Sequence, residues 1–289
     1  MAVQLCGIFS TVERDHFNQR LPIILPLLSK ELCPNSGPGR FVRAPTEEKE
    51  PETDEHQTGT NHDHLLFQTL QLLIKISTKL PKWFTKYTEE SVTICNEIQR
   101  YLPHSHEWVR LAAVQLLGCV FATLDPVTIG KAMREKLEDE NLLLFSTDTE
   151  RHVKSLTLDL CDLLQIGISV QFAEQVVKNL IFLARVIRHG TTEEISLPWM
   201  AKKIRRAVNE EVARAPANTV LRCAALKWSA GVTLEMGEDL VNHPILLHHL
   251  LAPVAREITD SANAPPVLKK LAKEVASLIG VEDFARAMS

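Results

Sequence analysis

Between residues 109 and 124, apolar side chains recur at helical spacing: Ala112, Ala113, Leu116, Leu117, Val120 and Leu124. The turn Pro103-His-Ser-His precedes this run, and Val109-Arg110 sit in its first helical turn. Small and large apolar residues share one stripe. A helix of this kind needs neighbours built on the same plan, so internal repetition has to be sought before any catalytic motif.

The stripe matches the inner helix of a HEAT-type repeat. A solenoid of such repeats is far more often a binding scaffold than an enzyme. Three further helix starts place an apolar residue before a basic one: Val153-Lys154, Leu221-Arg222 and Leu268-Lys269. From Arg110, the basic residues follow at intervals of 44, 68 and 47 positions. The outer two intervals fit the forty-odd residue period of HEAT and armadillo arrays. The middle one is too long for one repeat and too short for two, so an inserted helix and a degenerate repeat both stay open. The predicted fold is all-α, a HEAT/armadillo-like helical solenoid.

The rest of the chain reads helix after helix. Residues 17–32 carry a stripe of Leu21, Ile24, Leu25 and Leu28, but Pro22 and Pro26 predict two short helices or one bent one. Residues 34–60 are acidic and nearly free of apolar side chains, the composition of a disordered loop inserted within one repeat. This divides the chain into an N-terminal helical segment (1–33), the acidic loop (34–60) and the repeats (61–289). Within the repeats, residues 65–79 are apolar nearly all round, as in a helix held between layers. Helices follow at 89–102, 127–138, 150–165, 170–188, 197–213, 220–236, 246–261 and 267–279. Asp148 or Thr149 and Ser196 are candidate N-caps, His189-Gly190 marks a helix end, and Phe284 and Ala285 close the array.

A hydrophobic share of 45% supports a sizeable core, and a net charge of -4 gives no general attraction to nucleic acid. The six cysteines include no Cys-x-x-Cys pair, and most lie in apolar helical runs, which points to a reducing compartment. Cys33, beside Pro34, is expected near a helix end and exposed. The N-terminus lacks the basic flank of a signal peptide, and no apolar run is long enough to span a bilayer. A soluble protein without a membrane partner is expected. Val3, Leu5, Ile8 and Phe9 lack the polar character of a capping repeat, so the chain is expected to continue a longer array.

No constellation carries chemistry. The histidines at 62 and 64, at 104 and 106, and at 243, 248 and 249 are not joined by cysteines or by a His-Glu-x-x-His spacing, so no metal site is expected. Nucleophile-elbow, P-loop and dinucleotide-binding motifs are missing, and Gly37-Pro38-Gly39 sits in the acidic loop. Neither catalysis, a cofactor nor a small-molecule substrate is expected. One basic cluster stands out: Lys202, Lys203, Arg205 and Arg206 on one helix, with Arg185 and Arg188 on the preceding one and Trp199 a turn upstream. Such a group can neutralise phosphates or meet an acidic partner. It is equally what a solvated helix face looks like, balanced here by Glu193, Glu194, Glu210 and Glu211.

The run His104-Ser-His-Glu-Trp108-Val-Arg110 is followed by an Ala-rich helix. Together with Val177-Lys-Asn-Leu-Ile-Phe-Leu-Ala-Arg185 and Trp199-Met-Ala-Lys-Lys-Ile-Arg-Arg206, it resembles the C-terminal region of the giant HEAT-repeat family of the small-subunit processome. The resemblance covers most of residues 61–289. It implies a non-catalytic scaffold for pre-rRNA processing in the nucleolus, with processome proteins and a small nucleolar ribonucleoprotein as partners and pre-rRNA as a further candidate. The alternative is a generic HEAT adaptor, of the nuclear-transport or phosphatase-assembly type, with no RNA role.

Overall fold

A computed structural model of the chain describes residues 14–33, 55–81, 83–86, 88–259 and 264–280. Residues 1–13, 34–54 and 281–289 lie outside them, and with them the apolar N-terminus, most of the acidic segment and the closing Phe284-Ala285. Among the described residues the fold is all-α, with two 3-10 turns and no strand. Contacts divide the chain into two compact units, Met1–Thr123 and Leu124–Ser289.

The first unit contains α1 (Arg14–Leu32), α2 (Glu55–Lys79), the single turn α3 (Trp83–Lys86), α4 (Thr88–Tyr101) and α5 (Glu107–Phe121). Two antiparallel pairs, α1–α2 and α4–α5, stack so that α1 meets α4 and α2 meets α5. The acidic segment therefore connects the two helices of one pair. Helix α2 starts at Glu55, inside the stretch read as loop, because extending an established helix costs far less than nucleating one. Both prolines of α1 lie within one continuous helix, on its exposed side, while Leu21, Leu25, Leu28 and Leu32 are buried. Water can satisfy the carbonyls that Pro22 and Pro26 leave unbonded there.

The turn into α5 is fixed by polar contacts. Arg110 donates to the carbonyls of His104 (2.7 Å) and Ser105 (2.8 Å). His106 Nε2 lies 3.0 Å and His104 Nε2 3.4 Å from the two carboxylate oxygens of Asp63 on α2. Trp108 stacks on His106 and meets Phe67 edge-on, with centroids 5.2 and 5.0 Å apart. His104 and His106 thus serve as a latch between two helices. Among the described residues no group of three or more His, Cys, Asp or Glu side chains is placed to hold a metal ion.

The second unit comprises α6 (Pro126–Glu135), a 3-10 turn (Glu140–Phe145), α7 (Thr149–Asp162), α8 (Val170–Gly190), α9 (Leu197–Arg214), α10 (Thr219–Met236), a second 3-10 turn (Gly237–Asn242), α11 (Pro244–Thr259) and α12 (Pro266–Ile279). Asp125, Ser169, Ser196 and Asn218 accept N-cap bonds at the starts of α6, α8, α9 and α10. Asp148 caps α7 from a left-handed conformation (φ 43°). The first 3-10 turn was not legible in the sequence: Leu142, Leu143, Leu144 and Phe145 are all buried in a run with no helical period.

The helices of this unit form two rows. Helices α7, α9 and α11 pack side by side in one row, and α6, α8, α10 and α12 in the other. First helices of the pairs begin at Thr149, Leu197 and Pro244, and second helices at Val170, Thr219 and Pro266. The period is thus 47 to 49 residues throughout, and no degenerate repeat or inserted helix is needed. The 68-residue interval arose from comparing unlike positions, because Lys154 lies on a first helix whereas Arg222 and Lys269 lie on second helices. Lys154 is exposed and reaches Glu194 at 2.6 Å, whereas Arg222 is buried and donates to the Pro216 carbonyl at 3.1 Å. Arg110 and Arg222 therefore share one task, binding the backbone six residues upstream so that the inter-helix turn is held.

Burial also sets the titration of several groups. The thiols of Cys95 and Cys161 are pushed up to about 12 and stay protonated, as small apolar side chains. Cys33 is half-buried just after α1. His104, His152 and His249 are held below the ordinary imidazole value of 6.5, burial being the main cause in each. The unfolded chain takes up these protons near pH 6.5 while the folded chain resists them. Their contribution is therefore complete above that pH and is lost as the pH falls below it. The urea midpoint is expected to be lower at about pH 5.5 than at about pH 7.5; an equal or higher midpoint at the lower pH would contradict this reading.

Candidate functional site

The basic helix α9 buries Leu197, Met200, Ala201, Ile204 and Val208, one stripe at helical spacing. That stripe turns Lys202 and Arg206 outward and leaves Lys203 and Arg205 half-exposed. Arg206 pairs with Glu210 one turn on, at 2.7 Å. Lys203 lies near Cys161 of α7, and Lys202 and Arg205 lie near His249 of α11. The four cations thus spread positive charge across the row formed by α7, α9 and α11.

Arg185 and Arg188 are placed differently. Both lie on α8, in the other row, where Arg185 meets Glu235 at 2.7 Å and Arg188 meets Asp239 at 2.8 Å. Arg188 also donates to the Glu235 backbone carbonyl. Their charge is neutralised at the end of α10. The structure brings Lys202, Lys203, Arg205 and Arg206 together as an accessible set, and it does not bring Arg185 and Arg188 into it. The acidic residues named as their balance are likewise engaged: Glu194 with Lys154, Glu210 with Arg206, and Glu211 with Arg214 at 2.7 Å.

Residues of α11 enlarge the set. Arg256 is half-buried and donates to Asn209 of α9, and His249 lies near Arg205 with His248 next to it. Sequence reading weighed His248 and His249 as metal ligands and did not single out Arg256, which stands 50 residues from Arg206, so only the packing of α9 against α11 reveals their proximity.

The opposite row carries a second surface. The first turns of α8, α10 and α12 line a groove of about 410 Å³. Val170, Cys223, Val267 and Leu271 give it an apolar lining, to which Glu174 and Lys227 add an ion pair. Val170 and Val267 are 57% and 70% exposed, unusual for valines placed this regularly. Among the described residues no single helix is long and apolar enough to cross a membrane.

The second unit thus presents a positively charged row and an apolar groove on a repeated helical frame. A family model described as small subunit processome component 20 homolog, C-terminal, matches residues 1–289.

Proposed function

We propose that this chain, which belongs to the small subunit processome component 20 homolog C-terminal family, is a non-catalytic scaffold that supports pre-rRNA processing within the nucleolar small-subunit processome. The observation that carries the reading is the accessible charge of α9. Lys202, Lys203 and Arg205 form no ion pair among the described residues, on a chain whose net charge is negative. Cations kept unneutralised on one helix row suit an RNA backbone or an acidic protein face. The repeated frame contributes rigidity, so many modest contacts can add up without chemistry at any one of them. Processome proteins, a small nucleolar ribonucleoprotein and pre-rRNA are the partners this reading names.

Charge reversal tests it. A tagged chain carrying Lys202→Glu, Lys203→Glu, Arg205→Glu and Arg206→Glu should lose small nucleolar RNA and processome proteins on affinity purification. The unaltered chain should retain them and release them with rising salt. Undiminished association of the reversed chain would remove α9 from the interface.

The groove over α8, α10 and α12 favours the second reading, a HEAT adaptor that docks a protein segment without touching RNA. An adaptor of that kind would keep its partner after α9 is reversed and would not travel with large pre-ribosomal particles.

A further inference from the structure

Where α9, α10 and α11 meet, three polar atoms lie buried with no hydrogen-bond partner: Trp228 Nε1, Ser229 Oγ and His249 Nδ1. Trp228 and Ser229 are 3% and 1% exposed. A buried polar group without a partner is costly and rare, so three at one place call for a ligand. All three residues line the same small notch, about 20 Å³ in volume. That volume admits one oxygen-sized atom. The indole N–H can only donate, and the serine hydroxyl and the imidazole can donate as well. The indole N–H requires an acceptor there, and the hydroxyl and imidazole can both serve the same oxygen as donors.

The mouth of the notch is cationic. Arg205 and Arg256 line it, together with Asn209. Asn209 accepts from one guanidinium nitrogen of Arg256 and so holds that side chain in place. The nearest carboxylate in sequence, Glu257, pairs with Arg222 at 2.5 Å, and its charge on Arg256 is offset by that of Arg222. Lys202 and His248 add to the same field, which acts on His249.

We propose that this notch binds one non-bridging oxygen of an RNA backbone phosphate. Trp228 Nε1 and Ser229 Oγ donate to that oxygen from the floor, and Arg205 and Arg256 hold the phosphate at the mouth. The proposal rests on the RNA reading of α9 and deepens it by naming an anchoring point. A phosphodiester strand is favoured over a phosphorylated peptide because the charge continues beyond the notch. Lys202 and Arg206 follow along α9 at roughly one-turn spacing, about 5 Å, as a ligand with regularly repeated charge requires. A single phosphoryl group would leave Lys202 without a counterpart, whereas Arg206 already has Glu210. The aromatic side chains of the notch, Trp228 and His249, are buried and half-buried and offer no open face for a base to stack on, so the contact reads backbone and not sequence.

The test follows the indole N–H signal of Trp228 in the full chain by NMR, assigned by comparison with Trp228→Phe. Inorganic phosphate, a single-stranded RNA dodecamer and a phosphoserine peptide are the titrants. Phosphate and RNA should both shift the signal. Ser229→Ala should weaken RNA binding roughly ten- to hundredfold, the loss of one hydrogen bond to a charged group. Arg256→Gln should weaken it about tenfold and lower the salt slope by about one. An unmoved Trp228 signal, or unchanged RNA affinity in Ser229→Ala, would overturn the notch. If RNA binding still depended on Lys202 and Arg206, the broader reading of α9 would survive that result. A Trp228 shift with phosphate or the phosphopeptide, but none with RNA, would overturn the assignment to RNA.

Discussion

Replacing Glu257 with alanine is expected to cost the second unit roughly 3–5 kcal/mol, the range for removing one partner of a buried ion pair. Glu257 and Arg222 are 2% and 8% exposed, and two guanidinium nitrogens of Arg222 donate to the two carboxylate oxygens. The pair joins α10 to α11, and the third guanidinium nitrogen holds the turn before α10 through the Pro216 carbonyl. Without Glu257, Arg222 is a desolvated cation that cannot shed its proton. Its other bond, to Pro216, also keeps it from swinging into water. The pair's net worth is a separate quantity. Replacing both residues with apolar ones of similar volume, Arg222→Met with Glu257→Leu, should recover most of the loss. Urea unfolding followed by Trp199 and Trp228 fluorescence checks both statements. A loss under about 1 kcal/mol for Glu257→Ala would mean that water reaches the pair.

The second large effect is expected at a glycine contact. Helices α6 and α8 cross backbone to backbone at Gly130 and Gly190. A Cβ at Gly190 would sit 2.2 Å from the Gly130 carbonyl oxygen, and one at Gly130 would sit 2.7 Å from the Val186 carbonyl oxygen. Neither obstacle is a flexible side chain, so the helices would have to separate. Gly190→Ala is expected to cost about 3 kcal/mol, the upper end of the usual range for overpacking. Gly130→Ala should cost a similar amount, and the double variant less than their sum, because the first separation makes room for the second methyl group. Alanine elsewhere in a helix would gain about 0.5–1 kcal/mol over glycine. A stabilised Gly190→Ala variant would therefore refute the close crossing.

This crossing shows where sequence reading stops. His189-Gly190 marks the end of α8, as its position suggests, but the glycine is there for a neighbour 60 residues away and not for a left-handed cap. Apolar stripes gave the helices within a few residues, because burial on one side imposes a 3.6-residue period whatever the neighbour. The pairing of helices was harder. Lys154 and Arg222 look alike in their local strings, yet one faces water and the other lies in the core. The same holds for the candidate site. Lys202 to Arg206 were visible as a run of charge, whereas the ion pairs that neutralise Arg185 and Arg188 depend on the distant Glu235 and Asp239. The notch draws on three helices, and neither Trp228 nor Ser229 differs in pattern from an ordinary core position.

The division of the second unit into two rows has a consequence for assembly. The cations of α9 and the groove over α8, α10 and α12 occupy different rows, so a ligand on one need not displace a ligand on the other. Two weak attachments on one unit would act together, because the first raises the local concentration of the second partner. A chain built this way would work as a bridge if both surfaces hold ligands. Its grip on a large particle can be firm while each attachment remains individually reversible, and loosening either one lowers the residence time multiplicatively.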